Sequence, residues 1–417
     1  MKIIICLCSL LAVLFVNVCS SIAKVDITPR VTLREEYNDN LFLEESAKDF
    51  DYITKISPGI LIQYSPGSSL DLNLDYSLNF RFYSRHNRFN DTNLKNTQNA
   101  NLRLKAKPLR YVFIDISDDY QRVPIDIRRK TALDNELRNM TDNNIFTISP
   151  YTILPLSSTL STTIGYKYNN IWYDNKENIG SDGQTAFLTI TNKFSSKLSG
   201  ELKYDYYKYH PRDVIHSRYI EDYHKNSGSI GLIYLIGSRL TVNGQVGESY
   251  LTYETRGNTQ YTFWNINADY NMKEGMSSGA GYSTTLNDSS ISGTYKSSRI
   301  DMYFKTEKPV TISINPYYSH DDYLDSLRED RVAGISTDIA FLLTKKIDLL
   351  FNGLWEREKF SPGDQKVIKY SISGSLQYKL STKITSSVGY RYNNSNSNID
   401  SEDYKNNIVW VQAKAVF

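Results

Sequence analysis

The chain has 417 residues, 40% hydrophobic and 23% charged, with 33 Tyr, 16 Phe and 4 Trp. A formal charge of +2 supplies no field strong enough to recruit nucleic acid or to blanket an anionic membrane surface. A chain this apolar and this rich in tyrosine is folded rather than disordered, and three cysteines exclude a small disulfide scaffold.

Residues 1–23 read as a secretory signal: Lys2 precedes an apolar run from Ile3 to Val18, and Ser21-Ile22-Ala23 offers the small residues that cleavage requires. Cys6, Cys8 and Cys19 all lie inside it, so a chain processed before Lys24 has no thiol for disulfides, metal or catalysis. Val18 stands where lipidation at Cys19 would want a small residue. Beyond residue 23 no window is apolar for long enough to cross a membrane as a helix. Only strands could do so.

Residues 24–417 repeat one pattern. From Leu70 the even positions are Leu70, Leu72, Leu74, Tyr76, Leu78, Phe80 and Phe82, while the odd ones are Asp71, Asn73, Asp75, Ser77, Asn79 and Arg81. A period of two with one oily face is a half-buried strand. The alternation returns at Ile230, Leu232, Tyr234 and Ile236, at Trp264 to Met272, and at Ile368 to Leu380. Only Thr131 to Met140 offers a short helix, within a loop. Two kinds of connection take turns. Short ones fall at 65–68, 107–109, 154–157, 195–197, 237–238, 273–275, 308–309, 344–346 and 381–383, each with Pro, Gly or a small polar residue to turn the chain. Longer polar stretches lie between them, including 45–50, 86–95, 121–143, 174–183, 210–224, 320–329 and 393–403.

Two strands before the first short turn and two after each of the nine give about twenty antiparallel strands, within a range of about 18 to 22, the even count of a transmembrane up-and-down barrel with short periplasmic turns and long extracellular loops. Hydrocarbon cannot hydrogen-bond a backbone, so a sheet in lipid must close on itself. The soluble alternative, a sandwich or propeller, needs linkers or four-stranded repeats that the sequence lacks. Val409, Val411, Ala413, Ala415 and Phe417 share one face of the last strand, with Phe417 as the terminal aromatic that the barrel-assembly machinery reads. Tyr166, Tyr168 and Trp172, Tyr204, Tyr206, Tyr207 and Tyr209, Tyr317, Tyr318 and Tyr323, and Tyr390 and Tyr392 gather near the long-loop end, as an interfacial girdle would.

About twenty strands enclose more space than side chains fill, which predicts a water-filled pore through the outer membrane of a Gram-negative cell. The inward set is Asp71, Asp75, Arg81, Arg103, Lys105, Lys203, Asp205, Asp269, Arg299, Asp301, Lys305, Asp338, Lys369, Lys379 and Arg391. Both signs are present, which predicts polar solutes and weak ion selectivity. The longest loop, Gln121 to Asn143, carries Arg122, Arg128, Arg129, Lys130 and Arg138. Folded inward it would constrict the pore; standing in solvent it is a charged extracellular loop. His210, His216 and His224 have no compact metal-ligand spacing, and no hydrolase or phosphate-binding motif is present. The expectation is a non-enzymatic pore without a cofactor, its partners being membrane lipid, the assembly machinery and a polar solute. The alternative is a structural or adhesive barrel that binds through its loops.

The stretch Ile27-Thr28-Pro29-Arg30-Val31 to Glu36-Tyr37-Asn38-Asp39-Asn40-Leu41-Phe42-Leu43, with Asp51-Tyr52-Ile53-Thr54 and Ile56-Ser57-Pro58-Gly59-Ile60, resembles the opening of the β-barrel porin 2 family. The remaining chain matches that family only in hairpin rhythm. The resemblance implies an outer-membrane barrel and, because members are encoded with exopolysaccharide and exosortase-type export systems, secreted polysaccharide as a solute class. It implies no catalytic or binding residues. By themselves Asn38-Asp39-Asn40 are ordinary turn chemistry.

Overall fold

A computed structural model describes residues 25–212, 220–255, 257–308, 310–324 and 326–417. The signal segment 1–23 with its three cysteines, and His216, lie outside the described residues. The strands are β1 (Val25–Asn38), β2 (Asp51–Tyr64), β3 (Leu70–Leu78), β4 (Phe80–Tyr83), β5 (Gln98–Leu109), β6 (Val112–Pro124), β7 (Met140–Pro155), β8 (Leu160–Tyr173), β9 (Ser181–Lys193), β10 (Leu198–Pro211) and β11 (Tyr223–Ile236). They continue as β12 (Leu240–Tyr253), β13 (Thr259–Lys273), β14 (Met276–Ser289), β15 (Gly293–Thr306), β16 (Thr311–Tyr323), β17 (Glu329–Leu342), β18 (Ile347–Ser361), β19 (Gln365–Lys379), β20 (Ile384–Ser397) and β21 (Tyr404–Val416). Each pairs antiparallel with its sequence neighbours, except that β3 passes from β2 to β5, leaving the short β4 to pair with β2 alone. β1 pairs with β21, from Arg30↔Val416 to Asn38↔Ile408, and so closes a ring of 20 strands with β4 outside the count.

Period two sets which side chains meet lipid. Leu202, Ile230, Leu232, Ile266 and Ile372 are exposed on the outer face, and Leu72, Leu102, Leu104 and Ile116 pack into one apolar patch there. Every expected short turn is present, some displaced by a residue or two. One of the two tightest is Glu274-Gly275 between β13 and β14, where Gly275 takes φ of 74°, a left-handed conformation that only glycine adopts freely. At the opposite rim the connections vary more than expected: 125–139 is long, whereas 290–292 is very short.

Three expectations are corrected. Strands β6 and β7 continue into the stretch expected to be loop, so the long loop is 125–139 and Arg122 belongs to β6. No helix forms over 131–140; its residues are drawn into contacts with the barrel wall instead. In the girdle, Tyr166, Tyr204, Tyr206, Tyr318 and Tyr390 are exposed outside, but Tyr207, Tyr209, Tyr317 and Tyr323 take odd positions of β10 and β16 and face the lumen.

The Asn38-Asp39-Asn40 turn is the clasp of the ring. Asn406 Nδ2 donates to Asn38 Oδ1 at 2.6 Å and to the Asn40 carbonyl at 3.2 Å. Asn407 donates from its backbone N to Asp39 Oδ1 at 2.6 Å and from Nδ2 to Asp39 Oδ2 at 2.7 Å. These residues are buried or nearly so, and their short polar side chains satisfy backbone groups that the end of a sheet would otherwise leave open. The sequence motif that carries the family resemblance therefore joins the first strand to the last.

Candidate functional site: the lumen and its inward-folded loop

The strand registers put all the expected lumen residues on one side of the wall. Asp71 lies opposite Lys105 and Asn73 opposite Arg103; Arg103 donates to Asp119 at 2.7 Å. Arg30 grips Asp75 with both guanidinium ends. Arg299 pairs with Asp301 at 2.8 Å, Asp269 accepts from the Tyr303 hydroxyl at 2.9 Å, Lys203 meets Glu201 at 2.8 Å and Lys305 meets Glu307 at 3.0 Å. Lys369 and Lys379 pair with Glu358 and Asp348, and Asp338 accepts from Asn352. Asp205 lies opposite Ser227. Opposite charges alternate along the wall, so most of it carries no net field.

The exception is where loop 125–139 enters. It leaves β6 and β7 and bends over the mouth to β1 and β20. Asp134 is its tip, held at φ of 68°, and its carboxylate accepts from Arg34 of β1 at 3.2 Å and from Arg391 of β20. Arg34 also pairs with the buried Glu36 at 2.7 Å, as does Lys55 of β2 at 3.1 Å. Burial pushes the Asp134 carboxyl up, but Lys55, Arg391 and Arg34 together push it down further, so it sits below the usual carboxylate range. Around this tip Glu136 binds Arg81, Asn135 Nδ2 donates to the Leu41 carbonyl at 2.8 Å, and the Tyr404 hydroxyl donates to the Thr131 carbonyl. Beneath the loop lies a cavity of about 450 Å³ whose lining includes Asn79, Arg81, Glu356, Lys369 and Tyr404.

The five basic residues expected to line a constriction divide. Arg128 is turned back onto Asp126 at 2.6 Å, Arg129 meets Glu177, Arg138 meets Glu44, and Lys130 donates to the Leu43 carbonyl. Arg122 joins Asp142 and Asp91. None of the five is the cation that meets the loop tip; the wall residues Arg34 and Arg391 are, with Lys55 beside them on Glu36. Arg391 belongs to the inward set, whereas Arg34 and Lys55 were missed, although their parity on β1 and β2 was open to the same reading.

A second filling of the lumen comes from the wall itself. Tyr209, Tyr223, Leu251 and Tyr253 form a buried cluster with Ile220, and Tyr207 packs against it. The Asp288 carboxylate accepts from the Tyr223 hydroxyl at 2.9 Å and from Thr294 Oγ1 at 3.2 Å. Among the candidate histidines, His210 Nδ1 lies 2.7 Å from Asp222 and His224 lies beside Tyr206. Among the described residues no group of three or more His, Cys, Asp or Glu is placed to hold a metal. Phe417 is exposed on the outer face, its backbone N donating to the Pro29 carbonyl at 2.9 Å.

No family model matches the chain, and no curated protein matches it in sequence. Solved structures match it in architecture. The siderophore receptor PirA from Acinetobacter baumannii is 9% identical, over 95% of this chain and 81% of its own, with a TM-score of 0.53. A double mutant of the ferric enterobactin receptor PfeA from Pseudomonas aeruginosa is 6% identical, over 94% of this chain and 80% of its own, with a TM-score of 0.51. The likeness is one of fold. A closed antiparallel ring, oily outside and polar inside, with these structures as its neighbours, is an outer-membrane β-barrel of the Gram-negative envelope.

Proposed function

We propose that the protein is a channel for polar solutes across the outer membrane, its outer mouth narrowed by loop 125–139. The observation that carries this reading is the path of that loop, which is bonded to lumen-facing Arg34, Arg81 and Arg391 rather than standing above the rim. A barrel of this strand number holds water wherever loops and side chains do not fill it, and the alternating wall charges offer hydrogen bonds to sugars and small ions alike. The resemblance to the β-barrel porin 2 family supports secreted polysaccharide as the solute class. The proposal assigns the protein no catalytic chemistry.

Planar-bilayer recording tests it. The purified barrel is expected to give small conductance steps, and a variant lacking residues 126–138 steps several-fold larger. Silence from both proteins, each still shifting on gels between unheated and heated forms, would sink the channel and leave a barrel that works through its exposed loops.

A further inference from the structure

Asp134 is held as a ligand would be held. Its carboxylate is bonded by cations from two separate wall strands, Arg34 on β1 and Arg391 on β20, and Lys55 on β2 joins the same group through Glu36, which it shares with Arg34. The only other carboxylate in this group is Glu36, which Arg34 and Lys55 already share. Removing Asp134 would leave three cations facing one anion on a wall that is elsewhere balanced. The wall also has spare donors: Nε of Arg34 and Nε of Arg391 find no hydrogen-bond partner among the described residues. Both guanidinium groups lie over the ring of Trp410, at 4.6 and 5.8 Å, a cation–π contact that helps hold them in place. Planar, pre-oriented guanidinium pairs are suited to carboxylates. The occupant, by contrast, sits on a loop, at a left-handed turn position that aspartate tolerates.

We infer that Arg34, Lys55 and Arg391 form a carboxylate-binding site in the lumen, that Asp134 fills it as an internal ligand, and that the carboxylate of an acidic sugar takes its place. Displacement frees the loop tip, so the solute that binds is the solute that widens the mouth. This deepens the channel reading and rests on it for the transport consequence, though binding itself does not require conduction.

Trp410 supplies a readout independent of current. Glucuronate titrated into the detergent-solubilised Asp134→Ala barrel at low salt is expected to change its tryptophan fluorescence saturably, with neutral glucose giving no change and Trp410→Phe abolishing the signal. The unmodified protein should need more glucuronate, because its own carboxylate competes at high local concentration. Adding Arg391→Gln to Asp134→Ala should weaken binding by roughly tenfold, the loss of one charge-assisted hydrogen bond. Asp134→Asn serves if the alanine variant does not assemble. No saturable signal in either folded variant, or one unchanged by Arg391→Gln, overturns the site. Titration without conductance would keep the site and remove the channel; conductance without titration would do the reverse.

Discussion

The two fillings of the lumen differ in kind. Near β1, β20 and β21 the space is taken by a loop that arrives from β6 and β7 and is held by charges; near β10 to β12 it is taken by tyrosines of the wall, packed around Asp288. A charged tip in a wet lumen exchanges its partners for water or for another anion at modest cost, because each protein ion pair replaces hydration of similar strength. A tyrosine cluster cannot leave without breaking the strands that carry it. One filling is therefore adjustable and the other belongs to the framework, although both narrow the same barrel.

Excising residues 126–138 separates them most sharply: conductance should rise several-fold while the unheated band on gels persists, and collapse of that band would show the loop to be framework too. Tyr223→Ala, cut from the aromatic side, should do the opposite, lowering stability by about 3 kcal/mol as a large buried ring is lost with little gain in current; urea titration in lipid vesicles reads it. Asp134→Asn should raise the frequency of large openings in single-channel records without shifting the urea midpoint, and an unchanged record would mean that the loop's other contacts, Glu136 and Tyr404 among them, hold it without Asp134. The smallest effect is that of acid. The folded Asp134 titrates below its ordinary value, so its share of the loop's attachment is complete above about pH 4 and fades as pH falls through the lower folded value. Conductance should be level between about pH 8 and 5 and rise only below about pH 4; a rise near neutrality would assign the latch to another group.

Strand existence, number and facing were all legible, because a period of two is printed in the residues themselves: Leu70 to Phe82 separates oily from wet without any knowledge of partners. The same parity would have turned Tyr207 and Tyr209 inward, but clustering in sequence suggested a girdle in which neighbours share a depth, and adjacent strand residues share depth while facing opposite sides. The loop was visible as long and charged, yet its destination was not. Asp134 meets Arg391 across a sequence separation of 257 residues, and no local pattern records a contact that depends on ring closure. The basic residues that stand out in the loop are paired with Asp126, Glu177, Glu44 or the Leu43 carbonyl, while the acid at its tip makes the longest reach in sequence of these side chains.

The clasp at Asn38-Asp39-Asn40 has a consequence for how such a molecule changes over generations. Where first and last strands must run oppositely to meet, an odd count leaves them parallel and the clasp's partners, Asn406 and Asn407, at the wrong rim. Gains and losses of wall are thus restricted to whole hairpins inserted away from the join. The circumference is free to vary in steps of two, while the ends stay bound to each other.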